Sequence, residues 1–521
     1  MRAGSLVLRD MVFRALDRYA DRPAISAPDG DLSYAELRAR ALELAAGLRE
    51  RGVGPGDRVV LLLRNSADFP VADLAIITLG ACKVPLNDML AADDVGYMIE
   101  HSGAKAVVAH TSFHATLSAL NETLARVDVR VAIPDDANRL DGFEAAADVT
   151  HLDGAKPADF ADLDVSPTDP ALIIYTGGTT GRPKGVYHTQ QALAVNFMSH
   201  LINAEIGADE RLLICSPLPH SAQQFLLSAL LRGAHVTIEA GYDAGRVLEL
   251  IETRRLTWMF MVPTMIYRLL DHPDLPRRDH GSLRTIVYGA SPITSARLQQ
   301  GLTVFGPVFL QIYGQTEIPN LVTTLSKSDH GKAELLTSCG QPVIFCDVVI
   351  RDADGAPVAT GEVGELTVRS YYTLERYHED PDKTASAYSG EYLRTGDVGY
   401  MNDTHHVFLV DRAKDMIISG GMNVYSTEVE NVIQNVDGVS QVVVIGLPDD
   451  DWGEAVTAFV IPGESPPEPE AVIAHCKAQL ARYKVPKRVE FVAEIPLTPY
   501  GKPDKKALRR SFWGDQGRQI N

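Results

Sequence analysis

Cysteine is scarce in this chain of 521 residues, which contains five. They are Cys82, Cys215, Cys339, Cys346 and Cys476. Their number is odd and no two of them form a C-x-x-C pair. The sequence therefore favours neither a disulfide framework nor a structural zinc site. We expect a protein that works in a reducing cytoplasm.

Long hydrophobic runs are also missing. No window of the sequence approaches the roughly 18 apolar residues of a membrane span. The stretch Met1–Asp10 has charged residues around a very short apolar segment. That segment is too short for the core of a signal peptide, so the sequence predicts neither a secretion signal nor a membrane span.

Positive charge is in deficit, because 49 Lys and Arg residues stand against 68 Asp and Glu residues and give a net charge of −19. Nucleic-acid backbones require a basic protein face, so a nucleic-acid partner is not expected. The hydrophobic fraction of 45 % is ordinary for a globular chain, and this length allows several cores. A nucleotide ligand would therefore need a local basic site.

The most informative segment that is present is the glycine-rich stretch Tyr175–Gly185, which follows the apolar run Ala171–Ile174. Its glycines allow positive φ angles and let backbone N–H groups approach a polyanion. Its threonines add hydroxyl donors, and Lys184 adds a positive charge. A plain surface turn is the alternative, which the length and the lysine disfavour. A Walker loop requires Ser or Thr after the lysine, whereas Gly185 follows here, so we interpret the segment as a different phosphate-binding loop.

Strands and helices alternate through the first part of the chain. Ser33–Glu36 has the sequence of a capping box, which predicts a helix that ends at Gly52. Buried strands are predicted at Arg58–Leu63, Ala106–Ala109, Arg211–Cys215, Thr257–Val262 and Thr285–Tyr288. Ser291 and Pro292 are expected to open the helix after the last of these strands. The alternation predicts an α/β fold with parallel layers.

The pattern changes after about residue 340, where shorter strands at Asp347–Ile350 and Gly361–Arg369 predict a β-rich subdomain. A small α+β unit is predicted to begin after Asp411–Lys414. Within it, Thr427–Glu430 has the sequence of a second capping box. The further elements predicted there are strands at Val442–Ile445 and Ala455–Val460 and a helix over Glu470–Ala481.

Further segments follow the glycine-rich loop in the order found in the adenylate-forming enzymes, which include acyl-CoA synthetases, peptide-synthetase adenylation domains and luciferases. They are Tyr313–Glu317, Tyr392–Asp397, Asp411–Asp415, Ser419–Asn423 and Pro496–Lys502. The chain resembles this superfamily from Leu32 to Lys502. The resemblance implies a large multi-lobed N-terminal domain over residues 1–411, which binds nucleotide and acid. It also implies a small, mobile C-terminal lid over residues 412–521, with its hinge near Lys414.

The resemblance carries nucleotide-binding roles onto matching positions. ATP and AMP are expected to contact Thr176, Gly177, Gly178, Thr179, Thr180, Lys184, Gly289, Ala290, Ser291, Tyr313, Gly314, Thr316, Asp397 and Arg412. The ring of Tyr313 is expected to stack on adenine, and Asp397 is expected to accept hydrogen bonds from both ribose hydroxyls. Glu317 and Thr180 are similar to the residues that hold Mg²⁺ on the phosphates.

Catalytic and thiol-binding roles follow from the same resemblance. The positions that match catalytic residues are Lys502, Thr180, Glu317 and His220. Lys502 is expected to stabilise charge on the carboxylate and phosphate groups during adenylation. Gly420 and Gly421 are expected to line a narrow tunnel for the pantetheine of coenzyme A, where a side chain would obstruct the thiol.

The acid pocket is expected at six positions: His220, Ser221, Gln224, Tyr288, Gly289 and Gln311. Ser221 stands where relatives that activate amino acids usually have Asp, so an α-amino acid is disfavoured. Phe225, Met265 and Ile318 instead favour an apolar acid, whether fatty, aryl or alicyclic.

The resemblance thus implies an AMP-forming acid–CoA ligase that uses ATP, Mg²⁺ and coenzyme A. Its small-molecule carboxylic acid would become an acyl adenylate and then a thioester. Fewer than 20 residues follow Lys502, so the thiol is expected in trans, from coenzyme A or a carrier protein. The alternatives are a ligase that loads a separate carrier protein and an enzyme that performs one half-reaction. A homodimer is one assembly that the sequence allows.

Overall fold

A computed structural model of the chain describes residues 6–150, 155–176, 182–412, 415–420, 422–449, 451–463, 465–497 and 503–513. Its strands are β1 Pro23–Ala27, β2 Gly30–Ser33, β3 Arg58–Leu62, β4 Cys82–Pro85, β5 Ala106–His110, β6 Val129–Ile133, β7 Glu144–Ala145, β8 Pro170–Thr176, β9 Lys184–Thr189, β10 Arg211–Ile214, β11 His235–Ile238, β12 Trp258–Met261, β13 Thr285–Tyr288, β14 Phe309–Gln315, β15 Ile318–Leu325, β16 Gln341–Pro342, β17 Cys346–Arg351, β18 Gly364–Ser370, β19 Arg376–Tyr377, β20 Tyr388–Ser389, β21 Tyr392–Met401, β22 Val407–Arg412, β23 Ile417–Ser419, β24 Met422–Val424, β25 Val439–Asp449, β26 Gly453–Pro462 and β27 Arg488–Phe491.

The α-helices are α1 Leu8–Arg18, α2 Tyr34–Glu50, α3 Asp68–Leu79, α4 Ala92–Ser102, α5 His114–Ser118, α6 Asn121–Leu124, α7 Ala146–Val149, α8 Gln190–Asn203, α9 Gln223–Arg232, α10 Ala244–Thr253, α11 Pro263–Leu270, α12 Ser295–Phe305, α13 Pro381–Ser386, α14 Ser426–Gln434, α15 Pro469–Gln479 and α16 Lys505–Trp513. The capping box that opens α2 is present: Ser33 Oγ accepts from the Glu36 N–H, and Glu36 Oε2 accepts from the Ser33 N–H at 2.8 Å. This prediction is confirmed.

Two large, mainly parallel sheets account for the alternating part of the chain. One has the strand order β16-β15-β14-β13-β12-β10-β11-β1-β2, and the other has the order β19-β9-β8-β4-β3-β5-β6-β7. Strands β10 to β14 run parallel in the first sheet, as do β3 to β6 and β8 in the second. Parallel strands are covered on both faces, which explains why they appear in the sequence as continuous apolar runs. The predicted α/β layers are confirmed.

One apolar core joins these two sheets. Leu61 and Ile174 from the second sheet belong to the same buried cluster as Ile214 and Trp258 from the first. Helices α2, α3, α8 and α9 contribute further buried side chains to it. The functional cavity described below lies between the strands that this core holds together.

The later part of the chain forms two smaller sheets. Strands β17, β18, β21, β20 and β22 make an antiparallel sheet, which is the predicted β-rich subdomain. Strands β24, β23, β26, β25 and β27 make the other, and α14 and α15 pack on it through a separate apolar cluster. The change from one sheet to the next falls between Arg412 and Ile417. Lys414, the predicted hinge, lies outside the described residues.

Two predicted helix starts are wrong. The helix after β13 begins at Ser295 with Thr294 at the N-cap, not at Ser291. The N–H of Thr294 donates to the hydroxyl of Tyr267 at 3.0 Å, and Ala290 has a φ of 69°. This tertiary contact and this backbone turn keep the preceding residues out of the helix, although Ser-Pro is a common helix start.

The second correction concerns α14, whose N-cap is Tyr425 rather than Thr427. The Ser426 N–H donates to Asp411 Oδ2 at 2.5 Å. Glu430, expected to close the capping box, accepts from the Val444 N–H at 2.8 Å and pairs with Lys505 Nζ at 2.8 Å. Partners distant in sequence therefore take the groups that a local box would use.

All five cysteines are buried and none forms a disulfide. Burial raises the pKa of Cys82, Cys215 and Cys339 to about 12 and that of Cys476 to about 11. None of the helices in the described part of the chain combines the length and the apolar character that a membrane crossing requires.

Candidate active site

The base of the glycine-rich loop is a β-hairpin. Strands β8 and β9 pair antiparallel, with Thr176 opposite Lys184 at the end of the ladder. The hydroxyl of Tyr175 bonds to His101 Nδ1 at 2.9 Å, which ties the hairpin to α4. Gly177, Gly178, Thr179 and Thr180 lie outside the described residues. The structure thus describes both ends of the predicted phosphate loop and not its centre.

Lys184 and Glu317 are linked through one tyrosine. The Tyr377 hydroxyl donates to Glu317 Oε1 at 2.8 Å, and Lys184 Nζ lies 5.9 Å from the centre of the Tyr377 ring. Burial, together with the charge of the neighbouring Lys383, lowers the pKa of Lys184. Burial and the Glu317 carboxylate raise the pKa of Tyr377. Tyr377 therefore lies near both Lys184 and Glu317 at the base of the loop.

Glu317 suits a magnesium ion that arrives with a nucleotide. Among the described residues no three His, Cys, Asp or Glu side chains gather into a preformed metal site. Mg²⁺ commonly takes one or two carboxylates and completes its shell with substrate phosphates and water. A single half-buried carboxylate beside a phosphate loop fits that pattern. The predicted second ligand, Thr180, is outside the described residues.

A second carboxylate, Asp397, is held by side chains of β14. Asp397 Oδ2 accepts from the Tyr313 hydroxyl and from Gln315 Nε2, each at 2.6 Å. Gln315 Nε2 also donates to the carbonyl of Thr395 at 2.8 Å. Burial and the Asp397 charge raise the pKa of Tyr313 well above its usual value. Arg412 stands opposite Asp397 across β21 and β22.

The segment Gly314–Thr316, which lies between Tyr313 and Glu317, is held in place by a buried histidine and by a neighbouring strand. The imidazole of His188 is fully buried and its Nε2–H donates to the carbonyl of Thr316 at 2.9 Å. Burial lowers the pKa of His188 to about 4, so the ring is neutral near pH 7. A Cβ on Gly314 would lie 2.4 Å from the backbone of Asn320, so β14 and β15 approach closely at this point. Gly314 and Thr316 thus have little freedom to move.

A cavity of about 60 Å³ opens beside this segment, between the two large sheets. Its lining residues are Leu172, Ile174, His220, Ser221, Gln224, Phe260, Ala290, Ile312, Gly314, Gln315, Thr316, Pro319 and Asn320. His220 interrupts the turn Leu218–Ala222 with φ −134° and ψ −142°. This bend separates His220 from the regular helix α9 that follows. The wall combines apolar side chains with several amides and hydroxyls.

Three of the six residues predicted for the acid pocket line this cavity: His220, Ser221 and Gln224. Tyr288 requires correction, because its side chain is fully buried and its hydroxyl bonds to His330 Nε2 at 3.0 Å. A Cβ on Gly289 would lie 2.4 Å from the carbonyl oxygen of Ile312, so Gly289 permits close strand packing. Gln311 is half-buried and is not among the lining residues.

The residues from which an apolar acid was inferred do not line the cavity. Phe225 packs on Trp258 with ring centres 5.1 Å apart, inside the main core. Ile318 is fully buried, and Met265 packs against two core clusters. The apolar part of the wall comes instead from residues of β8, β12, β14 and β15. These are Leu172, Ile174, Phe260, Ile312 and Pro319.

Of the remaining nucleotide positions, Ala290 lines the cavity with its φ of 69°. Ser291 follows it and is half-buried. Gly420 has a φ of 60°, and a Cβ there would lie 2.9 Å from the Trp452 ring. The predicted thiol-binding Gly421 and the predicted catalytic Lys502 lie outside the described residues.

Sequence reasoning missed three residues of the site. Tyr377 orients Glu317, Gln315 orients Asp397, and Asn320 lines the cavity with a φ of 62°. Gln315 lies inside the motif segment Tyr313–Glu317, so the sequence could have indicated that it belongs to the site. Tyr377 ends the segment Leu374–Tyr377, where relatives often have Gly-Tyr, but no role was assigned to it. Asn320 gave no signal, because it reaches the site through the pairing of β14 and β15.

The chain matches two models of known families. The model described as AMP-binding enzyme matches residues 12–378, and the model of the AMP-binding enzyme C-terminal domain matches residues 428–502. The first range includes the hairpin of the phosphate loop and the cavity, and the second includes β25, β26 and β27 of the last sheet. The interval between them contains Asp397 and Arg412.

Curated relatives cover nearly the whole chain. A medium/long-chain-fatty-acid–CoA ligase of Mycobacterium tuberculosis, FadD8, is 36% identical over 516 residues, which are 97% of this chain and 90% of that protein. A feruloyl-CoA synthase of an Amycolatopsis species is 37% identical over 488 residues, or 92% of this chain and 94% of that protein. Their names specify different acids at nearly equal identity.

Among solved structures, the amide bond synthetase McbA of Marinactinospora thermotolerans is similar along almost its whole length. The TM-score is 0.86 at 33% identity, and the match covers 97% of this chain and 99% of that one. The fold around the cavity is therefore shared with an enzyme whose name describes an amide product.

Proposed function

We propose a function from one premise: the chain belongs to the family of AMP-binding enzymes. It activates a carboxylic acid with ATP as an acyl adenylate and then transfers the acyl group to the thiol of coenzyme A. The observation that carries this proposal is the arrangement around one cavity. Gly314, Gln315 and Thr316 line a pocket together with His220 and lie between Tyr313 and Glu317 in the sequence. Tyr313 bonds to Asp397, and Glu317 bonds to Tyr377, whose ring lies 5.9 Å from Lys184 Nζ at the base of the phosphate loop.

The first half-reaction forms a bond between a carboxylate oxygen and the α-phosphorus of ATP, and pyrophosphate leaves. No protein nucleophile is needed, so the protein contributes position and charge. Lys184 and the backbone of the loop neutralise phosphate oxygens, while Asp397 holds the ribose. Glu317 and Thr180 would hold a Mg²⁺ ion that arrives with ATP, and the bound ion would supply charge neutralisation at the phosphates. Lys502 stabilises the charge that develops as the bond forms.

The second half-reaction breaks the acyl–phosphate bond when the thiolate attacks, and AMP leaves. We propose that residues 412–521 act as the lid, with the hinge at Lys414, and that rotation of the lid exchanges Lys502 for Gly420 and Gly421 at the cavity. A change of a few dihedral angles at a hinge is enough for such motion. The change of sheet between Arg412 and Ile417 supports this position for the hinge.

For the acid we propose a fatty, aryl or alicyclic body, which the apolar residues of the cavity wall support. Two acceptors compete with coenzyme A. One is the thiol of a separate carrier protein, and the other is an amine, as the name of the structural neighbour McbA suggests. A chain that performs only one of the two half-reactions is the remaining alternative.

Mass spectrometry of the purified protein with ATP, Mg²⁺, coenzyme A and a panel of fatty, aryl and alicyclic acids tests the proposal. Acyl-AMP and acyl-CoA are recorded separately. Acyl-CoA from one class of acid is the expected result. Acyl-AMP without acyl-CoA would move the proposal to a carrier protein or an amine as acceptor. The absence of both products from the whole panel would overturn it.

Substitution of Lys502, with Lys506 as its control, tests whether the two half-reactions depend on different residues. Lys502→Ala should lower the rate of adenylate formation by on the order of a hundredfold, and it should leave thioester formation from supplied acyl-AMP nearly unchanged. Lys506, which is exposed on α16, provides the matched control, and Lys506→Ala should change neither rate. Equal losses in both half-reactions of Lys502→Ala would show that this lysine is structural.

The thiol tunnel has its own test. Gly421→Leu should block thioester formation and spare adenylate formation, because the new side chain would fill the tunnel. Retained thioester formation would remove the tunnel from the proposal.

The oligomeric state needs a separate measurement. Analytical sedimentation of the purified protein distinguishes a monomer from the homodimer that the sequence allows.

We further propose that the reaction takes place in the cytoplasm. Five buried cysteines without a disulfide suit a reducing compartment. Fractionation of the source cells, with activity measured in each fraction, tests this localisation.

A further inference from the structure

Gln224 is a buried amide in the wall of the acid cavity. Its side chain lies on the first turn of α9, is 4% exposed, and lines the cavity. Its Oε1 atom has no hydrogen-bond partner among the described residues. A buried carbonyl oxygen without a donor costs free energy, so native structures rarely leave one unless a ligand or water satisfies it.

Burial indicates which end of the cavity this amide occupies. His220 and Ser221 are half-buried, whereas Gln224, on the first turn of α9, is almost fully enclosed. Phe260 and Leu172, which line the same cavity, are 4% and 1% exposed. Gln224 therefore lies at the deep end, away from the mouth.

The nucleotide side of the cavity is its less buried part, where Gly314, Gln315 and Thr316 are half-buried. Gly314, Gln315 and Thr316 line the cavity and continue the strand that carries Tyr313, whose hydroxyl bonds to Asp397. An acid that reacts with the α-phosphate must direct its carboxylate toward this side. Its far end then meets the deep wall that contains Gln224.

We propose that the acid carries a hydrogen-bond donor, a hydroxyl group, at the end remote from its carboxylate, and that Gln224 Oε1 accepts this hydrogen bond. Ile174, Phe260, Ile312 and Pro319 contact the apolar body between the two ends. The substrate class is thus a hydroxy-substituted aryl or aliphatic acid rather than a purely apolar one. This inference rests on the proposed function, since it assigns the acid of that reaction.

A site built to accept a hydrogen bond discriminates strongly against an analogue that lacks the donor, because the buried acceptor then stays unpaired. A methyl ether in place of the hydroxyl retains the oxygen and loses the donor. It therefore separates donation to Gln224 from a mere preference for a polar or larger substituent.

The test uses matched acids with ATP and Mg²⁺, and it measures kcat/KM by pyrophosphate release. The sets are 4-hydroxycinnamate, 4-methoxycinnamate and cinnamate, and 8-hydroxyoctanoate, 8-methoxyoctanoate and octanoate. In at least one set we expect the hydroxy acid to exceed both its methyl ether and its unsubstituted analogue by about 100-fold.

Gln224→Met preserves the volume of the side chain and removes the acceptor. We expect this variant to lower the preference for the hydroxy acid to less than about tenfold through a loss of kcat/KM for that acid, with the unsubstituted acid unaffected or improved. Gln223 is the matched control, because it is the neighbouring glutamine, is 2% exposed and does not line the cavity. Gln223→Met should keep the wild-type preference.

Each other outcome overturns the inference. If the protein activates acids of the wider panel but shows no preference for a hydroxyl, a water molecule satisfies Gln224. If the methyl ether reacts as well as the hydroxy acid, no donor is required. If Gln224→Met retains the full preference while it remains folded by circular dichroism, another residue reads the hydroxyl. If no acid of any class yields acyl-AMP, the proposed function itself fails.

Discussion

Each of the two carboxylates in the candidate site accepts a hydrogen bond from a tyrosine hydroxyl. Tyr313 donates to Asp397 at 2.6 Å, and Tyr377 donates to Glu317 at 2.8 Å. Each phenol fixes one oxygen of its carboxyl group and so orients that group. At the residue scale the site therefore contains two oriented carboxyl groups, and the tyrosine that orients Glu317 also lies near Lys184. Each tyrosine is expected to act through its acid.

Tyr313→Phe removes the hydroxyl and preserves the ring. Because a hydrogen bond to a charged group contributes about 1.5–3 kcal/mol, we expect the KM for ATP to rise at least about tenfold, with a smaller change in kcat. Steady-state kinetics with varied ATP measures this. Tyr392→Phe removes a hydroxyl from a half-buried tyrosine bonded to Asp347, and it should leave the KM unchanged. Equal changes in both variants would contradict the role of Tyr313.

Glu317→Gln should raise the Mg²⁺ concentration needed for half-maximal adenylation and lower the maximal rate by on the order of a hundredfold, because a neutral amide is a poor ligand for a hard cation. A Mg²⁺ titration of pyrophosphate release measures both effects. Glu375 is an exposed acid two residues before Tyr377, and Glu375→Gln should change neither the Mg²⁺ requirement nor the maximal rate. An unchanged Mg²⁺ requirement in Glu317→Gln would exclude this carboxylate as a ligand.

At the scale of elements, the sequence predicted strands better than helix starts. Mainly apolar runs such as Thr285–Tyr288 identified buried parallel strands. A strand that is covered on both faces has apolar side chains at successive positions, and this is visible in the sequence. The capping box at Ser33 was also correct, since both of its partners are local. The starts of α12 and α14 were not, because Tyr267 and Asp411 bond to those segments from distant parts of the chain.

The close approach of β14 and β15 provides a test at this scale. A Cβ on Gly314 would lie 2.4 Å from the backbone of Asn320. Gly314→Ala should therefore force the strands apart and lower the free energy of unfolding by about 1–3 kcal/mol, with a loss of acid activation. Urea unfolding at 25 °C measures the stability. Gly331→Ala is the control, since nothing lies within 4 Å of its Cβ, and a similar loss there would refute the argument.

For the whole molecule, buried neutral histidines predict sensitivity to acid. His200 donates from Nδ1 to the carbonyl of Asn196 at 2.9 Å and accepts from Asn320 Nδ2 at 3.3 Å. Burial lowers the pKa of His200 to about 4, as it does for His188. The unfolded chain binds these protons near pH 6.5 and the folded chain does not. Stability should thus be full above pH 6.5 and be lost as the pH falls toward 4.

Each of these histidines should account for about 3 kcal/mol of that loss. The free energy of unfolding in urea, measured at intervals from pH 7 to pH 4, tests this. His200→Gln keeps a donor and an acceptor, and it should flatten the dependence on pH. His405→Asn, at an exposed position with a φ of 60°, should leave it unchanged. A wild-type curve that is flat over this range would contradict the assignment of neutral buried rings.

At the same scale, the sequence motifs identified which segments meet, and strand pairing determined which side chains meet. Asp397 and Tyr313 were both predicted for the nucleotide, yet the hydrogen bond between them follows from the packing of two different sheets. Tyr288, predicted for the acid, faces the core because residues alternate along β13 and the motif does not specify the face. Gln224 was predicted, but only burial revealed its unpaired oxygen.

The burial of all five cysteines makes the natural chain suitable for site-specific labelling. Maleimide dyes react with thiolates that they can reach, and these thiols are enclosed with pKa values raised by burial. Glu375 and Lys506 are exposed. If each is replaced by cysteine, the dyes should label these two introduced thiols in the native protein. Energy transfer between two such dyes would test the proposed rotation of residues 412–521 in real time, without removal of any native cysteine.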